Sequence, residues 1–174
     1  MSDLKLLLEV DEKVALETQA EQELMEALVK VHIARMYCDL GYPSLYKYLV
    51  FHHNYSEAEA IVRRDAVKLF IRSDIAKSYY LNGLINLTQS SILWRVIRLK
   101  ERSGGELGQS IEDLLLLIKG RSTRETDVIV HQALDLPFTK KTSIVLSDEK
   151  LIYFNGFIWR KLYALWGFDD EPVP

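Results

Sequence analysis

Between residues 43 and 137 the chain is cut into short lengths by signals that begin and end α-helices. Ser56 is followed three residues later by Glu59, the form of a capping box in which the serine accepts from the third helical amide and the glutamate reaches back. Ser110 with Asp113 and Ser122 with Glu125 repeat the pattern. Gly83 and Gly120 stand where a helix would end in a left-handed residue, and Leu136-Pro137 closes the series. A chain punctuated this often has no room for long strands. Its short helices must find their stability by packing on one another.

These signals predict a helix over 44–53 capped by Ser44, a turn at Asn54-Tyr55, and a helix from Ser56 to about Arg72. Asp74 opens a short helix, Thr88 opens one that runs through Arg102, and 103–109 (SGGELGQ) forms a loop. Upstream, residues 11–39 carry Val14, Leu24, Leu28, Val31, Ala34 and Met36 at helical spacing without Gly or Pro. They predict one long amphipathic helix that stops at Gly41-Tyr42-Pro43. Downstream, KTSIVLS (141–147) is the one strand candidate, and 148–166 return to helical spacing with Tyr153, Phe154, Phe157, Trp159, Tyr163 and Trp166. The expectation is a mainly all-α, multi-helical protein in four parts: an N-terminal helix (1–40), a helical domain containing a helix–turn–helix (41–136), a short strand with an aromatic helix (137–168), and a tail (169–174).

Composition places the chain in a broad class. Of 174 residues, 48% are apolar and 27% charged, the balance of a globular protein rather than a disordered or membrane one. One cysteine, Cys38, cannot pair within the chain, and its apolar surroundings predict a buried thiol. The longest apolar run, 114–118, is far too short for a bilayer, and the start lacks a basic leader. These features lead us to expect a reduced, cytoplasmic protein with no membrane partner.

Charge is the informative quantity. The net −3 conceals four Lys/Arg against nine Asp/Glu in residues 1–46, ten against five in 47–102, and eight against eleven in 103–174. A basic middle between acidic flanks predicts an anion-binding surface there. On a helical wheel of 57–72, Ala58, Val62, Ala66 and Leu69 share one side. Arg64, Lys68 and Arg72 share the opposite side, with Arg63 flanking. In a helix–turn–helix the second helix enters the DNA major groove. Lys47, Arg63, Arg64, Lys68 and Arg72 would then hold phosphates, and Ser56, Glu57 and Ala60 would lie nearest the base edges.

The catalytic inventory is sparse. The four histidines, His32, His52, His53 and His131, have no spacing that would converge on zinc, and adjacent His52 and His53 diverge by about 100° on a helix. Neither a nucleophile elbow nor a phosphate-binding glycine loop is present. The expectation is no enzyme, no metal and no cofactor. An alternative to DNA binding is an interaction module without nucleic acid, a homodimer formed through the acidic N-terminal helix or the aromatic C-terminal one.

Two strings resemble a known family. Leu40, Gly41, Tyr42, Ser44, Leu45, Tyr46 and Tyr48, followed by Tyr55, Ser56, Arg63, Arg64 and Ala66, resemble the region upstream of the nuclease domain in bacterial HNH endonuclease-like proteins. Weaker likenesses follow at 74–87, 120–125 and 141–165, so the resemblance spans most of 28–166. Asn54 replaces the family's glycine, and asparagine tolerates the left-handed turn. The order of elements is also similar to the helical DNA-binding domain of ParB-type partition proteins. The resemblance implies double-stranded DNA as partner and a targeting role. The paired histidines of an HNH motif are missing after His131, so nuclease activity is not implied.

Overall fold

A computed structural model of the chain describes residues 3–137. All regular structure among these residues is helical. Seven α-helices follow in order: α1 Asp3–Ile33, α2 Leu45–Phe51, α3 Glu57–Arg72, α4 Asp74–Leu81, α5 Leu87–Arg102, α6 Ile111–Ile118 and α7 Thr123–Ala133, with a 3-10 turn at Met36–Cys38 after α1. The expected strand at 141–147, the aromatic helix at 148–166 and the tail lie outside the described residues. No helix among the described residues is long and apolar enough to cross a membrane.

The expected caps are formed. Ser56, Ser110 and Ser122 each accept from the amide three residues on, and Glu59, Asp113 and Glu125 each accept from the cap's backbone N–H. Asn54 takes a left-handed φ of 58° in the turn before α3. A fourth box, Asn86 with Gln89, starts α5 one residue before the expected Thr88. It uses amides in both positions, a less conspicuous form of the same exchange.

The first helix differs from the 11–39 expectation at both ends. Leu4, Leu6, Leu7 and Leu8 are good helix formers and carry it back to Asp3. At its far end Arg35 adopts a left-handed φ of 52°, which breaks the helix and lets Tyr37 turn inward to 5% exposure beside His32. Cys38 lies in that turn and is exposed, not buried.

Helices α3 and α5 form the most extensive pair and the centre of the core. Val67 and Leu69 of α3 and Leu93 and Ile97 of α5 are fully buried, each side chain contributing about 1.5–3 kcal/mol. The Ser91 hydroxyl approaches Asp65 and Arg72 bonds Glu101, so the two helices run in the same direction with α4 bringing the chain back. Around them, α1 and α2 pack on α3, and α7 on α5. This wrapping explains one departure from the expected wheel. Ala58 is exposed while Ala60 and Val67 are buried, because α3 is covered on more than one side.

A polar clamp secures the α6–α7 connection. The Gln89 amide, 3% exposed, donates to the Ile118 and Arg121 carbonyls and to Thr126 Oγ1. Its oxygen accepts from the Asn86 amide at 2.8 Å.

Candidate nucleic-acid interface

One face of α3 is built as the spacing of its cations suggests. Arg64, Lys68 and Arg72 follow one another along the helix and line an open groove of about 810 Å³. The opposite wall comes from α5, which contributes Arg95, Arg98 and Arg102 at intervals of three and four residues. Six cations therefore face one cavity. Arg72 and Arg102 lie in the last turns of their helices, where the helix dipole favours positive charge.

Few anions oppose them. Arg64 donates twice to the neighbouring buried Asp65 carboxylate, at 2.7 and 2.9 Å, which fixes the direction of its guanidinium. Glu101 accepts from both Arg72 and Arg98 and bridges the two walls. The hydrogen bond from Arg72 is the largest cause of a Glu101 pKa held below the ordinary carboxylate value. Among the described residues, Lys68, Arg95 and Arg102 form no ion pair.

The crowding is felt by the groups inside. Burial, then the charge of Arg64, lowers the Lys68 pKa; Asp65 opposes them, and Arg98 and Arg102 add lesser lowering effects. His32, at the end of α1, lines the same cavity and contacts the Tyr37 hydroxyl at 3.3 Å through Nδ1. Its pKa is lowered by burial first and then by Lys68 and Arg35. In both groups burial acts first and the neighbouring cations add to it. Trp94, Ile33, Ile71 and Leu99 complete the lining.

The first helix ends at this groove with His32 and Ile33, but its ion-paired acids do not face it. Its Glu21 pairs with Arg63 at 3.5 Å and its Glu26 with Lys77 at 2.8 Å, both away from the cavity lining. Arg63 is thereby removed from the expected phosphate contacts. Its guanidinium lies 4.3 Å from the Tyr55 ring centroid, and its Nε is buried without a hydrogen-bond partner among the described residues. That side chain joins α1 to α3.

No family model, curated protein or solved structure matches this chain.

The remaining sequence-derived candidates are dispersed. Ala60 is 0% exposed and cannot touch a base edge, a correction that follows from α3 being packed over its first turns. Ser56 is exposed but its hydroxyl donates to Glu59 within the cap, and exposed Glu57 adds a second carboxylate to that first turn. Lys47 is exposed on α2, its ammonium 4.7 Å from the Phe51 ring centroid, and it does not line the groove. Five residues, 52–56, separate α2 from α3, because α2 ends at Phe51 and not at the expected residue 53. The α5 wall, with Trp94 and His32, is not among the residues expected from the sequence. The signal was available in Arg95, Arg98 and Arg102, which recur on one face of a helix, but nothing local tells which helix they oppose.

Among the described residues no group of three or more His, Cys, Asp or Glu is placed to hold a metal. His52 and His53 instead pack with Tyr48, with ring centroids 5.1 and 4.7 Å away.

Proposed function

We propose that this protein is a non-catalytic DNA-binding protein that holds the phosphate backbone in the α3–α5 groove. The supporting observation is the six cations brought from two helices onto one cavity, with Asp65 and Glu101 the carboxylates among them. Such a surface draws a polyanion by releasing its condensed counterions. The basic middle third of the chain and the resemblance to the targeting part of HNH endonuclease-like proteins favour the same reading. The contact set differs from the sequence expectation: Arg64, Lys68 and Arg72 remain, Arg95, Arg98 and Arg102 join them, and Lys47, Ala60 and Arg63 are left out.

The test is fluorescence anisotropy of a labelled duplex of about 30 base pairs, titrated across a salt series. Binding is expected to weaken with a log–log slope of about −0.9 per phosphate engaged. Replacing Arg64 and Lys68 together by Ala should flatten that slope by about 1.8. An unchanged slope in the double variant refutes the reading, and so does the absence of binding at low salt to both this duplex and its separated strands.

A second reading, self-association through α1, is favoured by one observation. Leu4, Leu6, Leu7, Leu8, Val10, Val14 and Leu16 are all more than half exposed on that helix. Light scattering decides it, since a strict monomer at high micromolar concentration leaves this reading without support.

A further inference from the structure

We propose that the occupant of the α3–α5 groove is a single-stranded nucleic-acid segment, with its phosphates between the two rows of cations and a base stacked on Trp94. This rests on the polyanion reading above and adds which form of nucleic acid the site takes.

Shape is the first ground. Duplex readers usually push a convex element into a DNA groove about 12 Å wide. Here the concave surface belongs to the protein. Packed helices lie roughly 8–10 Å apart, so cations rising from α3 and α5 flank a channel suited to one backbone rather than two. Its volume, about 810 Å³, lies within the range of cavities that enclose small ligands, about 300–1,000 Å³.

The lining chemistry is the second ground. A site for phosphate alone needs only donors and charge. This one also exposes apolar surface, with Ile71 44% and Leu99 48% exposed beside a half-buried Trp94. Trp94 lies one turn before Arg98 on α5, and the guanidinium carbon is 5.8 Å from the indole ring centroid. A basic channel carrying an aromatic platform is how single strands are held without sequence preference: bases stack, phosphates pair with cations, and Arg adds a cation–π contact.

The third ground is what stands at the start of α3. Exposed Glu57 and Glu59 occupy its first turn, where a recognition helix would meet the duplex, and carboxylates there repel phosphate. Glu59 is also engaged by Ser56, whose hydroxyl donates to it at 2.6 Å. Both acids lie outside the groove lining.

The experiment titrates the full chain with three labelled probes of equal length: a 20-mer oligo-dT, the same strand annealed to oligo-dA, and an abasic 20-mer that keeps the phosphates. The expected order is oligo-dT tightest, with the duplex at least tenfold weaker. The abasic strand should be weaker than oligo-dT by about 5- to 150-fold, the value of one stacked base. Trp94→Leu should reduce oligo-dT affinity to near the abasic level while leaving the salt slope unchanged, and Trp94→Phe should retain most of the affinity. If Trp94→Leu does not fold, the abasic comparison on the unaltered chain still decides. Equal or tighter duplex binding, or equal binding of abasic and normal strands, overturns the single-strand assignment. If Arg64→Ala with Lys68→Ala still weakens every probe, the phosphate reading survives that result. No binding of any probe at low salt overturns both.

Discussion

Glu101 is the residue whose replacement separates a working anion site from an ordinary basic surface, because the two predict opposite signs. Its carboxylate accepts from Arg72 and, at 2.8 Å, from Arg98, so it neutralises part of the groove it helps to shape. Glu101→Gln keeps the size of the side chain, removes one negative charge and leaves a single oxygen able to accept from one of the two guanidinium groups. A phosphate on the far side of either guanidinium would lie about 6 Å from that charge, and at an effective dielectric of about 40 the relieved repulsion is about 1.4 kcal/mol. Affinity for a polyanion should therefore rise about tenfold at low salt. Screening over a Debye length of about 8 Å at physiological ionic strength reduces the gain to about threefold. The cost to folding is small, because both ion pairs are partly exposed and such pairs contribute about 0–1 kcal/mol each. Anisotropy at two salt concentrations, with a thermal melt of the same sample, measures both quantities. Unchanged or weaker binding by a folded Glu101→Gln protein would refute the placement of phosphate in this groove, and Glu101 would then be only a brace between α3 and α5.

Gln89→Leu should destabilise the fold by about 2 kcal/mol: three good hydrogen bonds at about 1 kcal/mol each are lost, and added apolar burial returns about 1. Urea titration should show a lower midpoint with an unchanged slope, and a midpoint equal to that of the unaltered protein would contradict the clamp. His32 gives a pH signature. Its pKa is lowered in the folded protein, so the unfolded chain takes up the proton first and stability is lost as pH falls below the ordinary imidazole value of 6.5. His32→Gln should flatten the fall in melting temperature between pH 7.5 and 5.5; an identical fall in both proteins would place the acid sensitivity elsewhere.

Helix identity was legible because the signals for it are local. Ser56 and Glu59 meet within one turn of chain, and so do Ser122 and Glu125, whatever the rest of the molecule does. The mainly helical class follows from such pairs. What was not legible depends on neighbours. Ala58 lies on the apolar side of the wheel and Ala60, about 200° round, on the side of the cations, yet the packing of α1, α2 and α5 about α3 buries Ala60 and leaves Ala58 exposed. Arg63 and Arg64 are adjacent identical residues with opposite fates, one turned to Glu21 and Tyr55, the other fixed by Asp65 at the groove. Half of the site was readable as the four-residue repeat of Arg64, Lys68 and Arg72. The other half needed the discovery that α3 and α5 run side by side.

The first helix carries a gradient along its length. From Glu21 onward its side chains touch the body of the protein, whereas residues 4–20 are exposed throughout, a stretch of about 25 Å at 1.5 Å per residue. Exposed helix of this length is only marginally stable in water, since about 12–15 residues is where isolated helices begin to persist. Its backbone amides should therefore exchange with deuterium along a slope, fast near Leu4, slower toward Thr18, and at the rate of global unfolding by Met25 and Leu28. Were two such helices to pair in solution, the fast end would slow as protein concentration rises and the Met25 end would not, so one exchange experiment at two dilutions reads the local melting and the self-association of α1 together.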